Sequence, residues 1–202
     1  MSGLSERKIA HHLAMVHWSG KHLAMIRNCH AAGGHESDLL IVNEKRRVID
    51  IEIKISRADF KADAKKTKWR ESLSAHEAAI TPGAITTKHE KPHTFRGETV
   101  MRSWSSHHKP LIHPKNVWKH YFVMPADIWD DGLVEYLPSP ASGVMLVQHS
   151  DGHIWGSVET IRKAKANPDF QVLTNGQILN IARLCTIRMW NMAEKLRTQN
   201  DE

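Results

Sequence analysis

The chain has 202 residues, 41% of them hydrophobic and 25% charged, and a formal net charge of +6 at pH 7. This length and composition are typical of one globular domain, and no apolar run approaches the roughly 18 residues that a membrane-spanning helix needs. The positive charge favours a polyanionic partner. Two cysteines far apart, with no C-x-x-C pair, fit buried thiols in a reducing compartment. We therefore predict a cytoplasmic protein that has no membrane partner.

The N-terminal segment predicts a helix followed by a strand. Ile9 and Leu13 recur at helical spacing within a helix predicted over residues 2–18, and Glu6 lies in its first turn. Gly20 then breaks the pattern. A first strand is predicted over residues 22–28, so that it enters a sheet before the next element.

Residues 36–56 predict a β-hairpin. Residues 47–56 alternate with a period of two, which indicates a strand with two different faces. One face carries Ile49, Ile51, Ile53 and Ile55, and the other carries Asp50, Glu52, Lys54 and Ser56. If the polar turn is centred near Lys45, antiparallel pairing sets Asp38 opposite Glu52, with Cβ atoms about 5 Å apart. A solvated edge strand would show the same alternation.

Two facing carboxylates beside a lysine suggest a metal site. Asp38 and Glu52 would repel each other, and a hard divalent cation such as Mg²⁺ or Mn²⁺ would relieve that repulsion through oxygen ligands. The ammonium of Lys54, two residues along the same face, could orient a water or stabilise charge on a phosphoryl oxygen. The alternative is a surface cluster of ion pairs, which contributes little.

The strings HESDLL (35–40) and IEIKISRADFKADAKK (51–66) resemble the PD-(D/E)xK nuclease superfamily, in particular its MmcB-like and phage-encoded members. The resemblance implies an α/β fold with a restriction-endonuclease-like core, a mixed β-sheet flanked by α-helices. It implies Mg²⁺- or Mn²⁺-dependent cleavage of DNA by an endonuclease. It also implies a role in DNA repair or an origin in a phage. Asp38, Glu52 and the Ile53 carbonyl would bind the metal, and Lys54 would position the attacking water.

Three further residues are possible accessory groups of this site. In the superfamily an acid of the first helix sometimes approaches the metal, and Glu6 is the candidate here; the alternative is a favourable first-turn charge. Glu36 could be an outer or second-metal carboxylate, and His35 could bond a phosphate or an acidic neighbour. Both are otherwise loop residues at the start of a strand.

The segment after the hairpin predicts a basic helix. Ser56 and Asp59 fit a capping box for a helix that runs to about Trp69, and Asp59 and Asp63 are predicted as cap and ion-pair partners. Because this helix begins beside the predicted metal site, four of its cations are predicted to contact the phosphodiester backbone: Arg57, Lys61, Lys65 and Lys68. A solvated face is the alternative.

The middle of the chain predicts a basic, histidine-rich insertion at about 86–116. Residues 70–80 are predicted to continue helically to a break at Pro82, and the three prolines of the insertion disfavour a long regular element. The insertion could face DNA, with Trp104 available to stack on a base, or be a disordered or merely solvated excursion. A zinc site among its histidines would lack the usual cysteine ligands.

The C-terminal third predicts more strands and a last helix. Residues 117–124 predict an apolar strand, and residues 143–147 and 153–158 predict a second hairpin around a turn at 150–152. Thr174 and Gln177 fit a capping box for the last helix. Its apolar stripe predicts core packing or the contact of a homodimer, namely Ile178, Ile181, Ala182, Cys185, Met189 and Met192.

The combined prediction is a metal-dependent deoxyribonuclease that occupies residues 1–202 as a single domain. Two alternatives stay open: a non-catalytic nucleic-acid-binding module on the same fold, and a nuclease directed at RNA. The basic charge is compatible with all three, because each binds a polyanion.

Overall fold

The computed structural model describes residues 4–20, 22–30, 35–95 and 98–200. It is an α/β fold in which helices flank a mixed central β-sheet, so the predicted fold class is confirmed. The helices are α1 (Glu6–His12), α2 (Arg57–Asp63), α3 (Ala75–Ile80) and α4 (Asn175–Asn200). The strands are β1 (Ala24–Cys29), β2 (Ser37–Val42), β3 (Val48–Ile53), β4 (Arg70–Leu73), β5 (Ile85–Phe95), β6 (Glu98–Pro110), β7 (Lys119–Pro125), β8 (Gly143–Val147), β9 (His149–Ser150), β10 (His153–Ile154) and β11 (Glu159–Arg162).

The central sheet has the strand order β1-β2-β3-β7-β8-β11. The first three strands form an antiparallel meander, β3, β7 and β8 run parallel, and β11 returns antiparallel to β8. The strand β3 therefore lies in the middle of the sheet, and all six of its residues are buried. This excludes the solvated edge strand as the reason for its alternating pattern.

The two faces of the sheet carry different cores. On one face Ile9 of α1 and Leu13, which directly follows α1, pack with Ile51 and its β-branched neighbours. The opposite face has two apolar clusters, one around Leu40 and Ile181 of α4, the other around Phe60 of α2. The even-numbered residues of β3 share this second face, because Asp50 is paired with Leu40. The buried acids of β3 thus lie on the face of the sheet that α2 and α4 cover.

The register of the hairpin agrees with the sequence-based prediction. Leu39 is paired with Ile51 and Val42 with Val48, so one further step sets Asp38 opposite Glu52 on the same face. The polar turn between the strands is tight: the Asn43 side chain accepts hydrogen bonds from the Lys45 and Arg47 N–H groups, both at 3.0 Å.

The chain after β3 departs from the prediction. α2 is capped by Ser56, whose hydroxyl accepts from the Asp59 N–H at 3.2 Å, but it ends at Asp63 rather than near Trp69. The backbone is extended at Lys66 (ψ 146°), and a 3₁₀ turn follows over Thr67–Trp69. This turn buries the Trp69 indole, which donates to Asp63 at 3.2 Å. The predicted helix over 70–80 is also wrong in its first part, which forms β4.

The basic insertion is a long regular β-ribbon, contrary to the prediction from its prolines. β5 and β6 pair without interruption, from the pair of Ile85 with His108 to the pair of Phe95 with Glu98. β4 pairs with the last four residues of β6. The ring of Pro92 is tolerated because β5 is an edge strand of the order β4-β6-β5, where a missing N–H need not break a ladder. Pro110 ends β6, where no further pairing is needed.

The C-terminal region follows the prediction in part. β8 pairs with β11 and not with residues 153–158, which contribute only β10 to a small hairpin. The Thr174–Gln177 capping box of α4 is present. Ile181 and Cys185 pack on the core as predicted, whereas Met192 is 58% exposed, so the homodimer contact stays a prediction. No helix within the described part of the chain is long and apolar enough to cross a membrane.

Candidate active site

A buried cluster of acids and lysines lies on the face of the sheet that α2 and α4 cover. β3 supplies alternate side chains, α2 and the turn after it supply more, and β7 supplies a histidine from the neighbouring strand. The members are Asp50, Glu52, Lys54, Asp63, Lys66, Lys68 and His120. Most of these side chains are almost fully buried, whereas that of Lys66 is 45% exposed. The cluster is therefore open to solvent mainly through Lys66.

Three ammonium groups surround the carboxylate of Glu52. Lys54 Nζ lies 3.2 Å and Lys66 Nζ 3.0 Å from Oε2, while Lys68 donates to Oε1. Asp63 shares these three cations: its Oδ1 lies 2.9 Å from Lys54 Nζ and 2.6 Å from Lys66 Nζ, and its Oδ2 lies 3.8 Å from Lys68 Nζ. Three buried acids, with Asp50, are thus balanced by three lysines. This balance is what allows charges to lie in a low-dielectric interior.

Two histidines complete the cluster around Asp50. His35 Nε2 lies 3.0 Å from Asp50 Oδ2, and Lys68 Nζ lies 4.0 Å from the same oxygen. His120 Nε2 lies 3.4 Å from Lys68 Nζ and Nδ1 lies 3.1 Å from Ser142 Oγ. Because an ammonium can only donate, Nε2 of His120 accepts and Nδ1 carries the proton. Burial and the charge of Lys68 lower the pKa of His120 to about 3, so this ring is neutral.

The lysines control the ionisation of the buried acids. Burial opposes ionisation of Glu52, but the charges of Lys68 and Lys54 outweigh burial and lower the pKa of Glu52. The pKa of Asp63 is lowered to about 2 in the same way, against its burial, by Lys68 and Lys54. In return, Glu52 and Asp63 overcome the effect of burial on Lys54 and raise its pKa. At neutral pH Lys54 is a cation and Glu52 and Asp63 are anions.

Asp38 differs from the other acids in that its carboxylate is only partly neutralised. Its Oδ2 accepts a hydrogen bond from the Ile53 N–H at 2.8 Å, just past the last backbone pair of the β2–β3 ladder. Burial, reinforced by the negative charge of Glu52, raises the pKa of Asp38 to about 6, and Glu6 adds a smaller repulsion. The two facing carboxylates therefore repel each other, and Glu6 of α1 is near enough to contribute.

This repulsion predicts a pH-dependent gain in stability when Asp38 is neutralised. The raised pKa means that the folded state binds the Asp38 proton more tightly than the unfolded chain, so ionisation destabilises the fold as pH rises from about 4 to about 6. We expect Asp38→Asn, which can still accept from Ile53 N–H, to raise the free energy of unfolding at pH 7 by about 1–2 kcal/mol after allowance for solvent screening.

Urea unfolding in EDTA at about pH 4 and at pH 7 measures this effect. The gain should vanish at the lower pH, because a protonated Asp38 resembles an asparagine. The exposed Asp169→Asn is the matched control and should change neither value. Equal stability of Asp38→Asn and the unaltered protein at pH 7 would show that the repulsion is absent.

The position of the predicted metal site has two carboxylates and not a full set of protein ligands. Within residues 4–20, 22–30, 35–95 and 98–200, no group of three or more His, Cys, Asp and Glu side chains is arranged to hold a metal ion. Mg²⁺ commonly uses one or two carboxylates plus water and substrate phosphate, however, and Asp38 and Glu52 supply two on one face. Glu52 would have to exchange a lysine contact for such an ion, and the half-exposed Lys66 is the contact most readily exchanged.

The predicted accessory residues have different positions. His35 bonds the acidic neighbour Asp50, one of the two roles considered for it. Glu36 is exposed and lies 3.6 Å from His30 in a surface ion pair rather than within the cluster. Asp63 is an ion-pair partner, as predicted, and the Asp59 carboxylate also lies 3.6 Å from Lys54 Nζ.

The predicted backbone-binding lysines divide into buried and exposed groups. The prediction for Lys68 is wrong: its side chain is 2% exposed and is bound to Glu52, so it faces the interior and not a phosphodiester backbone. Lys65 is exposed, as is Lys61, which lies 4.1 Å from the centre of the Tyr136 ring. Arg57 is exposed and donates to the Ile128 carbonyl at 2.7 Å. These three remain available to an external anion.

Sequence reasoning missed four members of the cluster as site residues: Asp50, Asp63, Lys66 and His120. Asp50 could have been found, because it shares the alternating face with Glu52. His120 lies on β7, and its neighbourhood to Asp50 comes from parallel pairing across 70 residues of chain, which no local pattern reveals.

Comparison with known proteins adds little to this geometry. No family model matches the chain, and no curated protein matches it in sequence. One solved structure is similar in fold: a protein of unknown function, SPO1766, from Silicibacter pomeroyi. It is 17% identical with a TM-score of 0.48, over 97% of this chain and 90% of that one. This distant similarity carries no argument about activity.

Proposed function

We propose that the protein is a Mg²⁺- or Mn²⁺-dependent nuclease that hydrolyses phosphodiester bonds in DNA. The observation that carries the proposal is the β2–β3 register, which brings Asp38 opposite Glu52 when it is continued one step past the Leu39–Ile51 pair, together with the Lys54 ammonium 3.2 Å from Glu52. Two acids and a lysine in this order match the motif of the PD-(D/E)xK superfamily, which the sequence resembles. The proposed metal ligands are Asp38, Glu52 and the Ile53 carbonyl.

The raised pKa of Asp38 supports a cation between the two acids. Its carboxylate is half-ionised near pH 6 because burial and Glu52 disfavour its charge, and a divalent ion would relieve both effects at once. When bound there, Mg²⁺ or Mn²⁺ supplies polarisation of the phosphate and a coordinated water of lowered pKa.

Lys54 acts as a fixed positive charge in this proposal. Glu52 and Asp63 raise its pKa, so its amine stays protonated and is not a general base at neutral pH. A protonated amine can donate to the attacking water and hold it in position. It can also stabilise the negative charge that develops on a phosphoryl oxygen, an effect that is strong where water is excluded.

The half-exposed Lys66 is the proposed point of access for substrate. It lies at the solvent side of the cluster, 3.0 Å from Glu52, on a side chain that is 45% exposed. A phosphate group would attract its ammonium away from Glu52 and so leave Lys54 as the one lysine bound to Oε2. The neighbouring exposed cations Arg57, Lys61 and Lys65 would hold the flanking phosphates.

The test is incubation of the purified full chain with supercoiled plasmid, linear duplex DNA and a structured RNA, each with Mg²⁺, Mn²⁺ or EDTA. We expect nicking of the plasmid with either metal and none in EDTA. Nicking of closed circles identifies endonuclease activity, because an exonuclease needs an end. Cleavage of the RNA alone would transfer the proposal to an RNA-directed nuclease.

A non-catalytic nucleic-acid-binding module is the second candidate, and one observation favours it. Both oxygens of Glu52 are engaged by lysines, and the side chains of Glu52 and Lys54 are 1% and 3% exposed. In this second candidate, the neutralised cluster has a structural role alone: it holds β3, α2 and β7 together. Binding of duplex DNA without metal-dependent cleavage at any tested pH would favour the module.

A further inference from the structure

The β5–β6 ribbon has two faces of different chemistry. Residues directly paired across the strands share a face, and the pairs alternate between faces along the ribbon. One set of pairs is His89 with Trp104, Lys91 with Arg102, and His93 with Val100. The other set is Lys88 with Ser105, Glu90 with Ser103, Pro92 with Met101, and Thr94 with Thr99.

We call the first set the cationic face, defined as His89, Lys91, His93, Arg102 and Trp104. From the His89–Trp104 pair to the His93–Val100 pair this face carries two fixed positive charges and no acid, and the first acid along it is Glu98, which is paired with Phe95. On the other face Lys88 and Glu90 have opposite charges. Lys91 and Arg102 lie directly opposite each other, an arrangement of like charges that destabilises a ladder. A polyanion bound to this face would relieve that repulsion.

An aromatic pair lies next to the two cations. The rings of His89 and Trp104 are stacked, with centroids 5.3 Å apart and planes inclined by 18°, and His89 Nε2 lies 2.7 Å from Ser106 Oγ, which fixes its ring. Trp104 is nevertheless 47% exposed. A flat, exposed, pre-ordered apolar surface flanked by Lys91 and Arg102 combines contacts for bases and for phosphates.

The dimensions of the ribbon select duplex DNA as the partner. Beyond the part of β6 that pairs with β4, the ribbon is two strands wide, roughly 10 Å at about 4.8 Å between strands. A major groove about 12 Å wide admits a two-stranded β-ribbon. The nine residues of β5 in this two-stranded part, 87–95, span roughly 31 Å at about 3.4 Å per residue, close to one turn of duplex.

We propose that the cationic face of the β5–β6 ribbon docks in the major groove of duplex DNA. Lys91 and Arg102 contact phosphates or guanine edges, and the His89–Trp104 pair packs on base edges and thymine methyl groups. The choice of DNA rests on the proposed function, and the ribbon supplies a second contact with the same substrate, separate from the buried cluster.

The test is fluorescence anisotropy of the full chain with a labelled 30-base-pair duplex in EDTA, where no metal-dependent cleavage occurs. We expect the double variant Lys91→Glu/Arg102→Glu to weaken binding by at least about tenfold. It should also reduce the slope of log K against log salt by about 2, close to one unit for each phosphate that the protein no longer neutralises. Lys88→Glu, on the same strand but the other face, is the matched control and should weaken binding less than about threefold.

The aromatic pair is tested separately. Trp104→Ala should weaken binding with little change in the salt slope, and Met101→Ala, exposed on the other face, should have no effect. Equal losses from the double variant and from Lys88→Glu would overturn the assignment of the face. Tighter binding of a single strand than of the duplex would overturn docking in the groove.

The two proposals fail in different ways. Duplex binding that depends on the cationic face, without cleavage in Mg²⁺ or Mn²⁺, would contradict the nuclease and leave the ribbon assignment standing. Cleavage with an unchanged KM in the double variant would contradict the ribbon assignment and leave the nuclease standing. Unchanged urea midpoints establish that each variant is folded.

Discussion

Lys54→Met is expected to reduce metal-dependent cleavage of DNA by about 10²–10³-fold, the loss typical of removing one preorganised electrostatic stabiliser. Methionine keeps the apolar part of the buried side chain as far as Cε but removes the ammonium that lies 3.2 Å from Glu52 and 2.9 Å from Asp63. These two acids retain Lys66 and Lys68 as partners. Because Lys54 is buried, its loss also destabilises the fold, so the rates are compared under conditions in which urea unfolding shows that the variant is folded.

The measurement is single-turnover cleavage of a labelled duplex in Mg²⁺, beside urea unfolding of the same preparations. Lys45→Met makes the same chemical change at the exposed turn of the same hairpin and should leave the rate unaltered. Asp38→Ala and Glu52→Gln should each abolish cleavage, because each removes a proposed metal ligand. A Lys54→Met protein that cleaves at the unaltered rate would remove this lysine from the mechanism.

The two expected effects of an asparagine at Asp38 together distinguish an active site from a structural cluster. An asparagine at this position is expected to stabilise the fold at neutral pH and at the same time to prevent cleavage. Active sites typically contain residues that are required for activity and lower the stability of the fold, because their charges are held in arrangements that folding alone would not favour. A purely structural cluster would gain stability and lose nothing.

The sequence predicted the hairpin register and the helix caps, because the information for both is local. The period of two in β3 and the polar turn at Asn43–Arg46 together determine the register, and the register alone sets Asp38 against Glu52. The caps at Ser56 and Thr174 were predicted for the same reason, since a hydroxyl and a partner three residues later need no tertiary context.

Predictions that depended on distant parts of the chain were wrong. The lysines after Asp63 have helical spacing, but the chain leaves the helix there because Asp63, Lys68 and Trp69 are drawn into the buried cluster. The first part of residues 70–80 forms a strand because β4 finds its partner at His107–Pro110. Tertiary pairing overrides local helix propensity in such cases.

The ionic cluster has the same origin in tertiary structure. The sequence around Lys68 is a basic run and indicates a solvated lysine. In the structure its ammonium lies between acids of β3 and α2, and near His120 of β7. It opposes the effect of burial on Asp50, Glu52 and Asp63 more strongly than any other charge does, and so lowers the pKa of each. The second large prediction concerns this residue.

Lys68→Met is expected to destabilise the fold by about 3–5 kcal/mol at pH 7, because it leaves buried carboxylates without their main counter-charge. Lys66→Met is the matched control: Lys66 pairs with Glu52 and Asp63 too, but its side chain is 45% exposed and that of Lys68 is 2% exposed. The control should cost about 1 kcal/mol or less, since solvent screens an exposed ammonium and water can replace it.

The pH dependence of this loss has a definite sign. Acids with a lowered pKa contribute stability that is present above their ordinary pKa and is lost as pH falls through the folded value, which is about 2 for Asp63. Without Lys68 these acids take up protons at higher pH and no longer carry uncompensated charge. The difference in unfolding free energy between Lys68→Met and the unaltered protein should therefore shrink as pH falls from 7 towards about 3. A difference that is the same at both pH values would mean that Lys68 stabilises the fold by packing rather than by charge.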